Sequence, residues 1–288
     1  MLKQLLGSIA HCKFDKILIN EINIIVVDND IAKTAEEVIT NLNLGKYFLN
    51  RIHYYDYPSK GLANVRNELL GKALKFNPDF IIFIDDDEFV TENWINELVK
   101  TIIFNNADAA RGPVIAKIEY PVSKYIATLF ERENYENNAQ ISTWTTGNLI
   151  LRRTSLERHK IWFDKRFNSV GSEDTYFGFQ MASKGATIHW AANAVVYEII
   201  PKKRTTIKWF IRRKYRGANM YMFILKLEKS YLNILKKIIV SVLYIIIGSF
   251  SFILILMPVK IKYWGILKLS EGIGGLTGLF NIQYQEYK

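Results

Sequence analysis

Residues 80–88 read FIIFIDDDE: five apolar residues running into four acids. Like charges crowded at a strand end repel. Two unit charges ~4 Å apart interact by about 4 kcal/mol at an effective dielectric near 20. A hard divalent cation, Mg²⁺ or Mn²⁺, offsets such repulsion. These ions take oxygen ligands and are commonly held by one or two carboxylates together with substrate phosphates. Residues i and i+2 of a strand point to the same side. Asp85 and Asp87 are therefore candidates to share a cation, with Asp86 and Glu88 facing solvent or a basic neighbour. The same acids also suit a solvated loop that caps the next helix, and spacing alone does not separate the two readings.

Three other sets of residues carry chemistry. Asp28 ends the apolar run INIIVVDND (22–30), where its carboxylate can accept from a nucleobase N–H or simply form a turn. Arg66 lies in GLANVRN, and its fork suits a phosphate or the acids of a crevice, though a surface helix arginine reads the same way. Glu173 and Asp174 stand at the expected start of a helix. There a carboxylate serves the helix dipole or takes a proton from a hydroxyl. The segment RTTIKWFIRRKYRG (204–217) interleaves arginines with Trp209 and Tyr215, a pattern for a diphosphate or for anionic lipid. The four histidines have no ligand spacing, and the lone cysteine, Cys12, has no partner for a disulfide.

The elements that must position these groups alternate along the first half. A short amphipathic helix (2–10) precedes the strand-like 22–30. A helix over 31–44, a strand over 51–55, a helix over 61–74, the buried strand 80–85 and a helix over 93–105 follow. Such alternation predicts an α/β sheet with parallel strands, whose ligands lie at the carboxyl ends. Beyond it, 109–120 reads as a strand pair or an extended segment, 186–200 as extended, 146–153 as a strand, and 172–185 as a helix starting at Ser172.

The C-terminal third changes character. Residues 202–237 hold twelve Lys or Arg against one acid, Glu228, in a chain of net charge +10. Residues 238–257 are twenty residues without a charge, about 30 Å of helix and one bilayer core. The basic run beside an apolar one points to a membrane surface rather than nucleic acid. It places the N-terminal domain on the cytosolic side, and no signal peptide is read at the N-terminus. Within 258–288, residues 264–280 form a weaker apolar stretch: interfacial, re-entrant or a second crossing. The expected organisation is a catalytic domain over 1–200, a basic juxtamembrane segment over 201–237, a transmembrane helix over 238–257 and the C-terminal segment 258–288.

IIVVDND, GLANVRN, FIDDDE, TGNLILRR and GSEDTYFGFQMASKG, in this order and rough spacing, resemble a family-2 glycosyltransferase of the GT-A fold. The tail VVYEIIPKKRTTIKWFIRRKYRG followed by a membrane segment is similar to the succinoglycan-type branch that builds bacterial exopolysaccharides. The resemblance implies a Rossmann-like nucleotide-binding sheet with a C-terminal amphipathic and transmembrane region, at the inner membrane. It implies a nucleotide-diphosphate sugar donor, a lipid-linked or glycan acceptor and a Mn²⁺ or Mg²⁺ ion at a DXD motif. Carried over by position, Asp28 would contact the base and Arg66 would support the nucleotide site. Asp85 would face the ribose or metal, Asp87 would ligate the metal, and Asp174 would be the general base beside Glu173.

Two departures stand out. No QxxRW motif is present, and Arg212, Arg213 and Arg216 of RRKYRG take its region as diphosphate binders. Family members also open with a strand central in the sheet, whereas this sequence opens at the helix that would follow it. The expectation is a chain less stable than one carrying that strand. The alternative function is accordingly a catalytically inactive, truncated glycosyltransferase-like membrane protein. A nucleotidyltransferase would want a Gly-rich phosphate loop near the N-terminus, and none is read there.

Overall fold

The computed structural model describes residues 1–17, 19–142, 144–253 and 259–285. In chain order its elements are α1 (Leu2–Ala10), β1 (Ile24–Asp28), α2 (Thr34–Thr40), α3 (Lys46–Leu49), β2 (Ile52–Asp56), α4 (Leu62–Leu74), β3 (Phe80–Phe83), β4 (Glu88–Val90), α5 (Trp94–Phe104), β5 (Ala109–Arg111) and β6 (Val114–Lys117). The chain continues through α6 (Lys124–Thr128), β7 (Gln140–Ile141), β8 (Leu149–Arg152), α7 (Arg153–His159), α8 (Glu173–Ser183), β9 (Ile188–Trp190) and β10 (Val196–Ile199). Three long helices end it: α9 (Ile207–Leu227), α10 (Tyr231–Ile253) and α11 (Val259–Leu279). Two compact units result. Met1–Lys117, Glu131–Asn168 and Glu173–Ile199 form the first; Ile118–Phe130, Ser169–Ser172 and Ile200–Lys288 form the second.

In the first unit β1 and β2 pair in parallel, β3-β8-β5-β9-β7 form a five-stranded sheet, and β4-β10-β6 form a three-stranded one. Parallel pairing, expected throughout, holds at β1–β2, β5–β9 and β10–β6, but β8 runs antiparallel to both β3 and β5. β7 is likewise antiparallel to its neighbour β9. The alternating geometry of a strand explains the unbroken apolar run in β8. Leu149 and Leu151 enter the core shared with α4 and α8, while Ile150 enters the opposite core shared with α1 and α5. Each such buried side chain contributes roughly 1.5–3 kcal/mol.

Of the two segments read as extended, 109–120 forms the strand pair that the sequence allowed, and 186–200 also splits in two. Residues 109–120 break at Gly112 and Pro113 into β5 and β6, and 186–200 break into β9 and β10. In each case the halves join different sheets. At the head of α4, Gly61 caps the helix with φ +98°, and a side chain there would run into Asn168. The same Asn168 accepts from the Asn64 backbone N–H at 3.1 Å, which fixes the turn that aims Arg66.

The second unit is built on three packed helices. Ser270 of α11 donates to the Ile211 carbonyl of α9 (2.7 Å), and Lys226 of α9 donates to the Leu279 carbonyl (2.7 Å). Gly248 of α10 and Gly272 of α11 let α10 and α11 approach closely; a Cβ at Gly272 would stand 2.5 Å from the Ser241 carbonyl oxygen. The side chains of Leu235, Ile239, Ile246 and Phe250 on α10 remain exposed. The apolar span suited to a membrane covers Tyr231–Ser251. It starts seven residues before the expected 238, and the expected residues 254–257 lie outside the described residues. The C-terminal stretch read as interfacial, re-entrant or crossing is, over Val259–Leu279, a helix packed along both α9 and α10.

Candidate active site

Three elements bring the acids together: the end of β3, the first turns of α4 and the N-terminus of α8. Arg66 joins them. Its Nη1 donates to Glu173 Oε1 and its Nη2 lies 3.6 Å from Asp85 Oδ1, with the guanidinium over the Phe163 ring at 5.9 Å. Glu173 is 2% exposed on its side chain, Arg66 13% and Asp85 50%. The cluster is therefore sealed at the Glu173 end and open at the Asp85 end. Glu173 Oε2 has no hydrogen-bond partner among the described residues.

Removal from water pushes the Asp85 carboxyl above its ordinary range. Arg66 opposes this shift, and Asp87, Asp174 and Glu198 reinforce it. Asp87 is half-buried and Asp86 exposed. Glu88 corrects the sequence reading, which sent it to solvent or a basic neighbour. It is buried at 3% exposure, and its Oε2 accepts from the Asp85 backbone N–H at 3.0 Å. Burial and then the Asp85 charge push its carboxyl up to about 9, with lesser contributions from Glu198 and Asp87. The β4–β10 register sets Glu198 opposite Glu88, and Glu198 is paired with Arg132. Holding a proton on Glu88 relieves the like-charge repulsion that two facing carboxylates otherwise suffer.

Asp174 follows Glu173 in the first turn of α8, half-buried. Its Oδ1 accepts from the Thr175 backbone N–H at 2.6 Å and from the Thr175 hydroxyl at 3.3 Å. The backbone takes left-handed φ values at Gly171 (76°) and Ser172 (71°) just before it. This places Ser172 ahead of the helix rather than in it, one residue later than the sequence reading.

Asp28 stands at the buried end of β1, where three donors from its turn, α2 and β2 hold it. Oδ1 accepts from the Asp30 N–H (2.9 Å). Oδ2 accepts from the Ala35 N–H (3.0 Å) and from the Tyr54 hydroxyl (3.3 Å). Burial and the Asp28 charge push Tyr54 up to about 12, so it stays a donor. Arg212, Arg213 and Arg216 belong to α9 in the second unit, Arg213 lying 5.0 Å from the Trp209 ring centroid. The structure thus joins Arg66, Asp85 and Glu173 by direct contact, with Asp87 and Asp174 close enough to act on Asp85 electrostatically.

Sequence reasoning missed three participants. Arg111 ends β5, buried over the Trp190 ring (5.5 Å). Burial draws its guanidinium below its ordinary range, while Asp174 is among the charges opposing the shift. The signal was a charge closing the otherwise small, apolar AAR strand. Glu198 was hidden inside an extended run. Gly147 of the TGN turn is the third: a Cβ there would stand 3.2 Å from Glu88 Oε1 and 3.8 Å from Asp85 Oδ2, so only glycine leaves that space open.

Among the described residues no group of three or more His, Cys, Asp or Glu can hold a metal ion by itself. The donors present are hard carboxylate oxygens, with Asp85 half open and a side-chain-free Gly147 beside it. That set fits a cation held jointly with substrate phosphates rather than a protein cage.

Residues 80–267, well over half the chain, match the family described as Glycosyl transferase family group 2. The chain belongs to that family. One relative of this family-2 chain is the succinoglycan biosynthesis protein ExoM of Rhizobium meliloti (strain 1021). It is 28% identical over 202 residues, covering 69% of this chain and 64% of ExoM. The match therefore spans just under two thirds of that relative. S. aureus TarS, residues 1–349, in complex with UDP aligns with a TM-score of 0.54 at 14% identity, over 98% of this chain and 88% of that one. Its complex with UDP-GlcNAc gives 0.53 at 15% identity. At such identity the likeness concerns the fold, and the fold is GT-A.

Proposed function

We propose that this chain is a membrane-anchored inverting glycosyltransferase of cell-surface glycan synthesis. It moves a sugar from a nucleotide diphosphate to a lipid-linked or growing glycan acceptor, with its catalytic unit on the cytosolic side of the inner membrane. The observation that carries the reading is the Arg66 bridge. It unites the acid motif after β3 with the acid pair of α8, so a donor-binding group and a candidate base share one open-ended site. Family membership, the ExoM relative and the UDP and UDP-GlcNAc complexes of TarS support the same class of donor.

In this reading the Asp174 carboxylate takes the proton of an acceptor hydroxyl. That oxygen bonds to the anomeric carbon as the bond to the diphosphate breaks, and a nucleoside diphosphate departs with inversion. Asp28 contacts the base of the nucleotide, and Asp85 faces its ribose or the metal. Asp85 and Asp87 would hold a Mn²⁺ or Mg²⁺ ion, which would neutralise charge on the departing group. Arg66 keeps Asp85 and Glu173 fixed. Arg212, Arg213 and Arg216 bind the diphosphate or anionic headgroups beside the apolar helix α10.

The test is a donor panel with purified full chain in detergent and Mn²⁺ or Mg²⁺, reading nucleoside diphosphate release. Release with one donor that EDTA abolishes is expected. No release with any donor, alongside intact folding, would establish the catalytically inactive reading instead.

A further inference from the structure

A groove of about 320 Å³ lies in the second unit between α9 and α11. Ile211 of α9 faces Ile266, Leu269 and Ile273 of α11 across it, the last three on one helical stripe. From Ile266 to Ile273 the helix advances about 10 Å. Hydroxyls at the walls are engaged within the bundle. Ser270 donates to the Ile211 carbonyl at 2.7 Å, and Thr277 donates to the Tyr215 hydroxyl at 2.9 Å. Tyr215 and Tyr284 complete the lining, their ring centroids 6.0 Å apart. Among the described residues the lining carries one charge, the exposed Arg212, which makes no hydrogen bond or ion pair with any of them. Ile273 is 40% exposed, so the groove opens to the outside of the unit.

Shape and chemistry narrow the occupant. Sugar hydroxyls and nucleobases need polar partners, and apolar walls leave them unsatisfied. A helix is about 10 Å across with its side chains, and over the same length it would need roughly 800 Å³. A single hydrocarbon chain fits. We propose that the groove holds one acyl chain of an anionic phospholipid, with Arg212 on its phosphate. The guanidinium fork matches two phosphate oxygens. Lys208, Arg213, Lys214 and Arg216 stand near Arg212 on α9 with no acid among them, which disfavours a headgroup that carries its own cation, such as choline. Of these basic residues Arg212 alone lines the groove, which suits the single charge of a phosphodiester. Held there, the lipid ties α9 to α11 and both to the bilayer. This site rests on the membrane reading given above, and it assigns Arg212 a headgroup rather than the leaving diphosphate.

Native mass spectrometry of the detergent-purified full chain tests the site, with phosphatidylglycerol and phosphatidylcholine of matched chains as probes. The expected result is one phosphatidylglycerol per chain, bound about ten-fold or more tighter than phosphatidylcholine. Arg212→Gln should remove that preference. Ile273→Trp, which fills the groove, should weaken both lipids about ten-fold. Ile239→Trp, on the exposed face of α10, should change neither. Because a variant can misfold, the unmodified chain is also labelled with a phosphatidylglycerol that carries a diazirine in its chain, and labelling of residues 266–273 is expected. Equal affinity for the two lipids overturns the proposal, and so does labelling confined to α10. Displacement of the lipid by glycerol phosphate would make a free phosphate the ligand, and tighter binding of farnesyl diphosphate would make it a lipid diphosphate; either result also overturns the proposal. None of these readouts needs a donor sugar. A chain that releases nucleoside diphosphate without lipid preference sinks the groove alone, and one with lipid preference but no release sinks the catalysis alone.

Discussion

Arg66 and Glu173 form a buried ion pair across 107 positions of sequence, and the free side of Arg66 reaches Asp85. A pair of this kind adds little over a well-packed apolar substitute, yet it is costly to break on one side only. Its value here is geometric: it sets the distance between the acids of β3 and those of α8.

Removal of one partner exposes that dependence. Arg66→Ala should lower unfolding free energy by about 3–5 kcal/mol, because it strands Glu173 without compensation. The double variant with Glu173→Gln should recover part of the loss. Urea denaturation of the detergent-solubilised chain reads both. A loss under about 1 kcal/mol would mean that the pair is solvent-screened rather than buried.

Glu88 makes stability fall with rising pH. Its carboxyl is pushed up to about 9 from the ordinary 4.5. Between those values the folded chain keeps a proton that the unfolded chain has released. Stability then drops through this window by up to about 1.4 kcal/mol per pH unit for one proton, and levels off above it. Asp85 is shifted in the same direction. Glu88→Gln should match the parent near pH 4.5, exceed it at pH 9 and show a flatter profile between. An unchanged slope would mean that Glu88 is ionised in the fold.

Gly147→Ala tests whether the space beside Asp85 and Glu88 is used. The added methyl stands 3.2 Å from Glu88 Oε1, and small shifts can accommodate it. The expected outcome is a melting temperature within a few degrees of the parent and a donor-plus-metal affinity lowered roughly ten-fold, about 1.4 kcal/mol. Unchanged affinity in isothermal titration would place the ligand elsewhere.

The membrane assignment rests on the outward face of α10. Ile246 is exposed on the C-terminal half of the Tyr231–Ser251 span, five residues before its end. A lysine at the centre of a spanning helix costs about 2.5–3.5 kcal/mol. Ile246→Lys should shift the chain from the carbonate-resistant membrane fraction to the soluble or aggregated one. Lys268→Ala, on the partner helix α11, should not. Equal fractionation of Ile246→Lys and the parent would mean that α10 does not cross.

The strands and helices were legible wherever local pattern and burial agree. The apolar runs at 24–28, 80–83 and 149–152 and the helix 62–74 lie within a few residues of their expected ends. Sheet order was not legible, because strand partners are chosen by long-range packing: nothing local to LILR marks it as the antiparallel strand between β3 and β5. The acids were legible as candidates, but their division of labour was not. Asp28 read either as a base-facing carboxylate or as a turn former, and it accepts from the Asp30 and Ala35 N–H groups and from the Tyr54 hydroxyl. Glu88 looked solvated, yet the β4–β10 pairing turns it inward against Glu198. Arg111 carried only a weak local signal, one charge at the end of a short strand. The Arg66–Glu173 contact lay beyond local reading altogether, since it depends on where α4 and α8 meet.

The central claim is that Asp174 is the base of a sugar transfer. Its direct test is Asp174→Asn in the donor-release assay, with donor affinity measured on the same sample. The account predicts a fall in kcat of roughly 10²–10⁴-fold, the usual worth of general base catalysis, with donor affinity within a factor of about three of the parent. Turnover at the parent rate in Asp174→Asn would contradict it.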